Sequence, residues 1–101
     1  MTDEKVVEVL SLYAKTVDDM GYSLRKIEAD AEIDMESVPF ALSHIRWMCD
    51  ETKTFITEGR REKAMRWLGF MQGALWLAGV FTLTDLMNHN RPADAPFDAE
   101  K

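Results

Sequence analysis

Four basic side chains lie within seven residues of an otherwise acidic sequence, and this basic cluster consists of Arg60, Arg61, Lys63 and Arg66. It stands where a helix is predicted to begin, and the exposed backbone N–H groups of a helix start attract anions. Arginine side chains there could hold a phosphate group by charge-assisted hydrogen bonds. The alternative is that the cluster pairs with carboxylates of neighbouring helices, and we favour it because exposed ion pairs are common on protein surfaces.

An aromatic side chain beside the basic cluster could stack on a nucleobase, and Tyr13 is one such candidate. The other large aromatic residues have helical spacing, which is typical of core positions. We therefore expect burial of Trp47, Trp67, Phe70 and Trp76. A nucleotide site would require the basic cluster to converge with an exposed aromatic ring.

Two glycines interrupt what otherwise reads as a helix, at Gly69 and Gly73, with Gln72 between them. Each glycine in a helix interior costs about 1 kcal/mol relative to alanine. Small residues let two backbones approach closely. We therefore expect another helix, or a ligand, to pack against this face together with Trp67, Phe70 and Trp76.

The sequence contains no recognisable catalytic or metal-binding motif. His44 and Cys49 are five residues apart, which does not match the spacing of paired metal ligands on a helix. No glycine-rich phosphate loop or nucleophile motif is present. We expect a protein that is not an enzyme and that uses no metal and no cofactor.

The first element is predicted to be one long helix of about 30 residues, or ~45 Å, running through Gly21. Its apolar residues alternate steps of four and three, which is typical of a helix that packs against another helix. They are Val6, Leu10, Tyr13, Val17, Met20, Leu24, Ile27 and Ala31. A hairpin arm of about 20 residues spans only ~30 Å, so part of this seam would lack a partner within the chain. A homo-oligomer would bury that surplus.

An antiparallel helical hairpin should follow, with Ser37 as the cap of its first arm and Gly59 as its end. The second arm is predicted from about Arg61 to Ala78 and is apolar on most sides, so we expect it to be central.

A short helix from Thr82 or Thr84 to near Asn90 completes the predicted elements. The fold class is therefore all-α: a long N-terminal helix packed on the hairpin, then the short helix. We expect a single domain over residues 1–92 and a disordered tail over 93–101, where proline, small and charged residues dominate.

Composition narrows the function further. The 101 residues are 47% hydrophobic and 30% charged, as in a globular domain. The net charge of −6 argues against non-specific nucleic-acid binding, which depends on neutralising phosphates. The single cysteine and the polar N-terminus favour the cytoplasm over secretion.

The alternative interpretation of the uncharged run from Trp67 to Thr84 is a membrane span. This run only reaches the lower length limit of a span and contains three glycines and Gln72. A buried core helix is the better interpretation, and we expect no membrane association.

The stretch REKAMRWLGFMQGALW, followed by a threonine-rich cap and HNRP, resembles a family of small uncharacterised phage and prophage proteins. The hairpin is also similar, more weakly, to phage proteins that sequester the cyclic nucleotide signals of CBASS immunity. In those proteins the second arm opens with Arg-Glu-Lys, here Arg61-Glu62-Lys63, and carries a late tryptophan, here Trp76. They also grip the ligand with a tyrosine and a lysine, for which the resemblance implies Tyr13 and Lys15 as the candidates here.

These resemblances imply a small phage accessory protein acting in the cytoplasm of an infected cell. The leading expectation is counter-defence by binding and blocking a host protein, for which the acidic charge suits a basic target surface. The alternatives are an oligomeric sponge that sequesters a cyclic nucleotide, and a structural or assembly helper for the virion.

Overall fold

The computed structural model describes residues 1–91, and they form four α-helices without any strand. The helices are α1 (Asp3–Asp19), α2 (Val38–Thr57), α3 (Arg61–Leu77) and α4 (Leu83–His89). The all-α prediction is confirmed. The end of the predicted domain at residue 92 and the predicted tail at 93–101 lie outside the described residues.

The first helix is much shorter than the sequence pattern predicted. Thr2 caps its start by accepting a hydrogen bond from the Lys5 N–H, and the helix ends at Asp19. Gly21 then adopts a φ of +88°, in the left-handed region that stops a helix. The prediction of one continuous helix through Gly21 was therefore wrong. The surplus seam that argued for an oligomer does not exist.

Residues 22–34 cross from α1 to α2 without regular secondary structure. Two hydrogen bonds attach this segment to α2: the Arg25 N–H donates to the Ser43 carbonyl at 3.2 Å, and the Ile27 N–H donates to Nδ1 of His44 at 3.0 Å. A short 3-10 helix, Met35–Ser37, leads into α2, with Asp34 as its cap. Ser37 precedes α2 as predicted, but its hydroxyl donates to Asp34 and does not cap α2.

The antiparallel hairpin of α2 and α3 forms as predicted. Gly59 has a φ of +76°, and the Arg60 N–H donates to the Phe55 carbonyl at 2.8 Å across the end of α2. This bond is part of the glycine-terminated helix ending that the sequence indicated.

The core lies where α1 packs on α2 and α2 packs on α3. Its fully buried side chains include Tyr13 of α1 and a stripe along α3, Ala64, Leu68, Met71 and Leu75. The expectation that α3 is surrounded on most sides was wrong, because its outward side chains Phe70 and Trp76 are 63% and 48% exposed. Among residues 1–91, no helix combines the length and the apolar character needed to cross a membrane.

Candidate functional site

Three members of the basic cluster pair with carboxylates. Arg61 contacts Asp3 on α1, Arg60 lies 3.6 Å from a carboxylate oxygen of Glu58, and Arg66 lies 3.7 Å from one of Glu62. All these side chains are substantially exposed, so each pair contributes little stability, on the order of 0–1 kcal/mol. Arg61 and Arg60 therefore pair outside α3, as in the ion-pairing interpretation of the cluster, whereas Arg66 pairs within α3.

The fourth member, Lys63, lies against aromatic rings. Its Nζ is 4.6 Å from the centre of the Phe55 ring and 5.7 Å from that of Trp67. Further contacts of this kind follow along the hairpin. The ring centres of Trp47 and Trp67 are 6.0 Å apart, and Nζ of Lys26 lies 5.2 Å from the centre of the Trp47 ring. We call these five residues the cation–aromatic row. Trp47 and Trp67 are partly exposed rather than buried in the core.

Tyr13 and Lys15 do not join the basic cluster in one site. The Tyr13 side chain is fully buried, and its hydroxyl contacts His89 at 2.8 Å and Gln72 at 3.0 Å. Burial raises the pKa of Tyr13 to about 12. Lys15 points to solvent, where a hydrogen bond to Asp19 at 2.7 Å raises its pKa. The Tyr13 ring therefore has no face free for a nucleobase.

The two helical glycines face open space. A Cβ atom built on Gly69 or on Gly73 would meet no atom within 4 Å. The expectation that another element of the chain packs closely there was wrong. Gln72, by contrast, points to the other side of α3, where it donates to Tyr13 and pairs with Asn90 at 2.7 Å.

An apolar groove that was not predicted from the sequence lies between α2 and α3, with a volume of about 710 Å³. Val38, Ala41 and Ile45 of α2 form one wall, and Ala74, Leu77 and Ala78 of α3 form the other. Ile33 and Met35, from the segment before α2, complete the lining. Met35 is 87% exposed and Leu77 is 82% exposed. Large apolar side chains left in solvent around a concave surface are typical of a binding site.

Carboxylates lie along the segment that borders one edge of this groove, and one of them, Asp34, lines the groove itself. In residues 28–36 the even-numbered positions are acidic and exposed: Glu28, Asp30, Glu32, Asp34 and Glu36. The odd-numbered positions are apolar, and they line the groove or the hollow beside it: Ala29, Ala31, Ile33 and Met35. We call the five carboxylates the acidic rim. The alternation is visible in the sequence as a period of two. The segment is nevertheless not a strand: it turns at residues 29–30, where the Ala31 N–H donates to the Glu28 carbonyl at 3.0 Å, and it enters the 3-10 helix at Met35.

Residues 1–91 contain no cluster of three or more histidine, cysteine or acidic side chains placed to hold a metal ion. His44 is engaged by the Ile27 N–H, and Cys49 is buried, which raises the pKa of its thiol to about 12.

Comparison of the chain with protein-family models, curated proteins and solved structures gave no match.

Proposed function

We propose that this protein is a non-enzymatic binding module that captures a basic amphipathic helix of a partner protein in the groove between α2 and α3. The observation that carries the proposal is the combination of an apolar groove with an acidic rim along one edge. Once bound in the groove, the helix of the partner protein could no longer make its own contacts, so the function that depends on those contacts would be blocked.

The chemistry of the groove selects its ligand. An amphipathic helix lays apolar residues spaced three and four apart into a hydrophobic groove. Here the lining offers aliphatic side chains and the methionine Met35, which adapts its shape to different ligands. Five carboxylates on the rim and a net charge of −6 attract a ligand whose polar face is basic, and repel an acidic one.

The biological setting is also part of the proposal. The sequence resemblance to phage accessory proteins suggests a counter-defence role in the cytoplasm of an infected cell. The blocked partner would then be a host protein that presents a basic helical segment.

A model peptide tests the binding mode directly. A fluorescent 18-residue helix of leucine and lysine should bind with a dissociation constant in the micromolar range or tighter, whereas its leucine–glutamate counterpart should not bind. Fluorescence anisotropy measures both. Equal binding of the two peptides, or binding of neither, would rule out a groove selective for basic helices.

Variants locate the site. Ile33→Ser with Met35→Ser should weaken binding of the basic peptide about tenfold or more, since exposed apolar contacts are lost. Met20→Ser with Leu83→Ser is the matched control, because both side chains are exposed and neither lines the groove.

Asp30→Asn with Glu32→Gln should lower the affinity mainly at low salt. Asp34 is left intact because it caps the 3-10 helix.

A second candidate function is sequestration of a cyclic nucleotide, and the cation–aromatic row favours it. Lys63 and Lys26 would contact phosphates, while Trp67 and Trp47 would stack on bases. Thermal unfolding against cyclic di- and trinucleotides tests this function, because saturation at a hundredfold excess over the dissociation constant stabilises by about 2.7 kcal/mol. A rise in melting temperature that Lys63→Ala abolishes and Arg61→Ala retains would support a nucleotide site at the cation–aromatic row. Unchanged melting across the panel would exclude it.

A further inference from the structure

The outward face of α3 is apolar over its C-terminal half although nothing in the described chain covers it. Phe70, Trp76 and Leu77 are 63%, 48% and 82% exposed. Gly69 and Gly73 lie between them with open space above their Cα atoms. Glycine in a solvent-facing helix interior is unfavourable unless a second backbone comes close. The face therefore has the composition of a helix–helix contact that lacks its second helix.

The spacing of the residues on this face indicates how a second helix would pack against it. Its centre line runs through Glu62, Arg66, Gly69, Gly73 and Trp76, in steps of four, three, four and three. This is the seam pattern by which one helix packs along another. All five residues on the line are exposed or lack neighbours. It is distinct from the buried stripe of Ala64, Leu68, Met71 and Leu75 on the other side of the helix.

The seam is complementary to itself when two copies run in opposite directions. In that arrangement Gly69 faces Gly73 of the second copy and Gly73 faces Gly69, so the backbones meet where no Cβ keeps them apart. In the next layer outward, Arg66 faces Trp76 of the second copy, which brings a guanidinium onto an indole ring. Phe70 and Leu77 flank the central layers and exclude water from them. A parallel arrangement would instead place Arg66 against Arg66 and Trp76 against Trp76.

We propose that the outward face of α3 binds the same face of a second copy of this chain, in an antiparallel dimer with two-fold symmetry. Such a contact is isologous, because each surface meets its own copy. The groove between α2 and α3 borders this seam and shares Leu77 with it, whereas Arg66, Gly69 and Gly73 do not line the groove. Variants at Gly69 and Gly73 therefore test the dimer separately from the proposed capture of a partner helix.

Sedimentation equilibrium tests the association. The wild-type protein should populate a dimer between about 5 and 500 µM. Gly73→Leu should raise the dimer dissociation constant at least about tenfold by holding the two backbones apart. The variant should keep its helical circular dichroism, since its Cβ meets no atom of its own chain within 4 Å. Thr54→Leu, on the exposed surface of α2, is the matched control and should associate as the wild type does. A wild-type protein that stays monomeric throughout this range, or a Gly73→Leu variant that dimerises normally, overturns the proposal.

Disulfide trapping tests the direction of the helices. A Gly69→Cys chain is mixed with a Gly73→Cys chain and mildly oxidised. The native Cys49 is buried and its thiol pKa is raised to about 12, so it should stay unreacted. A disulfide needs Cα atoms about 4.4–6.8 Å apart. The antiparallel dimer should give mainly the mixed disulfide between positions 69 and 73. Disulfides mainly between identical positions, or a statistical mixture, would overturn the antiparallel arrangement.

Discussion

The hydroxyl of Tyr13 lies 2.8 Å from Nδ1 of His89, and this contact joins the first helix to the last across 76 positions of sequence. Gln72 of α3 donates to the same hydroxyl oxygen at 3.0 Å, so three helices meet at one phenol. The phenolic proton is then available for Nδ1 of the neutral histidine. The Phe81 ring packs edge-on against His89 with centres 4.8 Å apart. α4 is only seven residues long, and it is held on the bundle by this polar contact together with its buried residue Leu86.

Tyr13→Phe should therefore destabilise the fold while keeping the ring in the core. The change removes the hydroxyl and leaves Nδ1 of His89 and one N–H of Gln72 without this partner, at a cost of about 1–2 kcal/mol. Urea unfolding followed by circular dichroism measures it. Tyr22→Phe, on the half-buried ring that follows α1, is the control and should cost less. Equal effects of the two substitutions would mean that the contact with His89 contributes nothing.

Both histidines make the stability depend on pH. Nδ1 of His44 accepts the Ile27 N–H, which can only donate, so protonation of this Nδ1 breaks the hydrogen bond. Nδ1 of His89 faces the Tyr13 hydroxyl, which can also accept, so protonation there reverses the hydrogen bond. Burial lowers the pKa of both groups, and nearby Lys26 lowers that of His44 further. The unfolded chain, with histidine pKa values near ~6.5, therefore takes up protons before the folded chain does.

We expect the free energy of unfolding to be highest above about pH 6.5 and to fall as the pH drops below that value. Urea titrations at about pH 7.5 and about pH 5.5 bracket the change and stay above the ordinary range of the carboxylates. His44→Asn with His89→Asn retains acceptor oxygens but cannot titrate, so its stability should change less between the two pH values. A decline as steep as that of the wild type would assign the effect to other groups.

Local signals in the sequence were sufficient to predict most helix boundaries. Gly59 ends α2 and Thr82 begins α4, because each boundary depends on a glycine conformation or a side-chain cap within a few residues. The end of α1 was predicted wrongly, because the local signal at Gly21 conflicted with the longer-range spacing of apolar residues. The three–four spacing of apolar residues continues past Gly21 into Leu24 and Ile27, and this spacing outweighed a lone glycine in the prediction. In the structure the left-handed Gly21 ends the helix.

The candidate site was harder to predict from the sequence than the helix boundaries were. Apolar periodicity does not distinguish a side chain that packs in the core from one that faces a missing partner. The spacing therefore predicts burial of Phe70 and Trp76, which are exposed in the structure. The groove depends on how α2, α3 and the segment before α2 come together, which is a tertiary property. The alternation of acidic and apolar residues from Glu28 to Glu36 was its one sequence signal, and the helical interpretation of α1 obscured it.

The cap of α4 provides a sharp test of local stability. Thr82 Oγ1 accepts the Asp85 N–H at 3.1 Å, and an Asp85 carboxylate oxygen accepts the Thr82 N–H at 3.0 Å, which is a complete capping box. Thr82→Ala should cost about 1 kcal/mol. Because α4 is short, hydrogen exchange of its amides should accelerate more than that of α2. Thr84→Ala, two residues on and exposed, is the control and should leave exchange nearly unchanged.

Substitution by alanine should change the free energy of unfolding in opposite directions at Gly21 and Gly69. This contrast separates the effect of backbone strain from the effect of helix propensity. Gly21 has a φ of +88°, where an alanine costs about 1–2 kcal/mol, so Gly21→Ala should destabilise the protein. Gly69 is helical with no atom within 4 Å of a Cβ, so in dilute, monomeric protein Gly69→Ala should stabilise by about 0.5–1 kcal/mol. Urea unfolding of both variants at low micromolar concentration compares them. If Gly69→Ala destabilises the protein even there, the face above Gly69 is covered within the monomer.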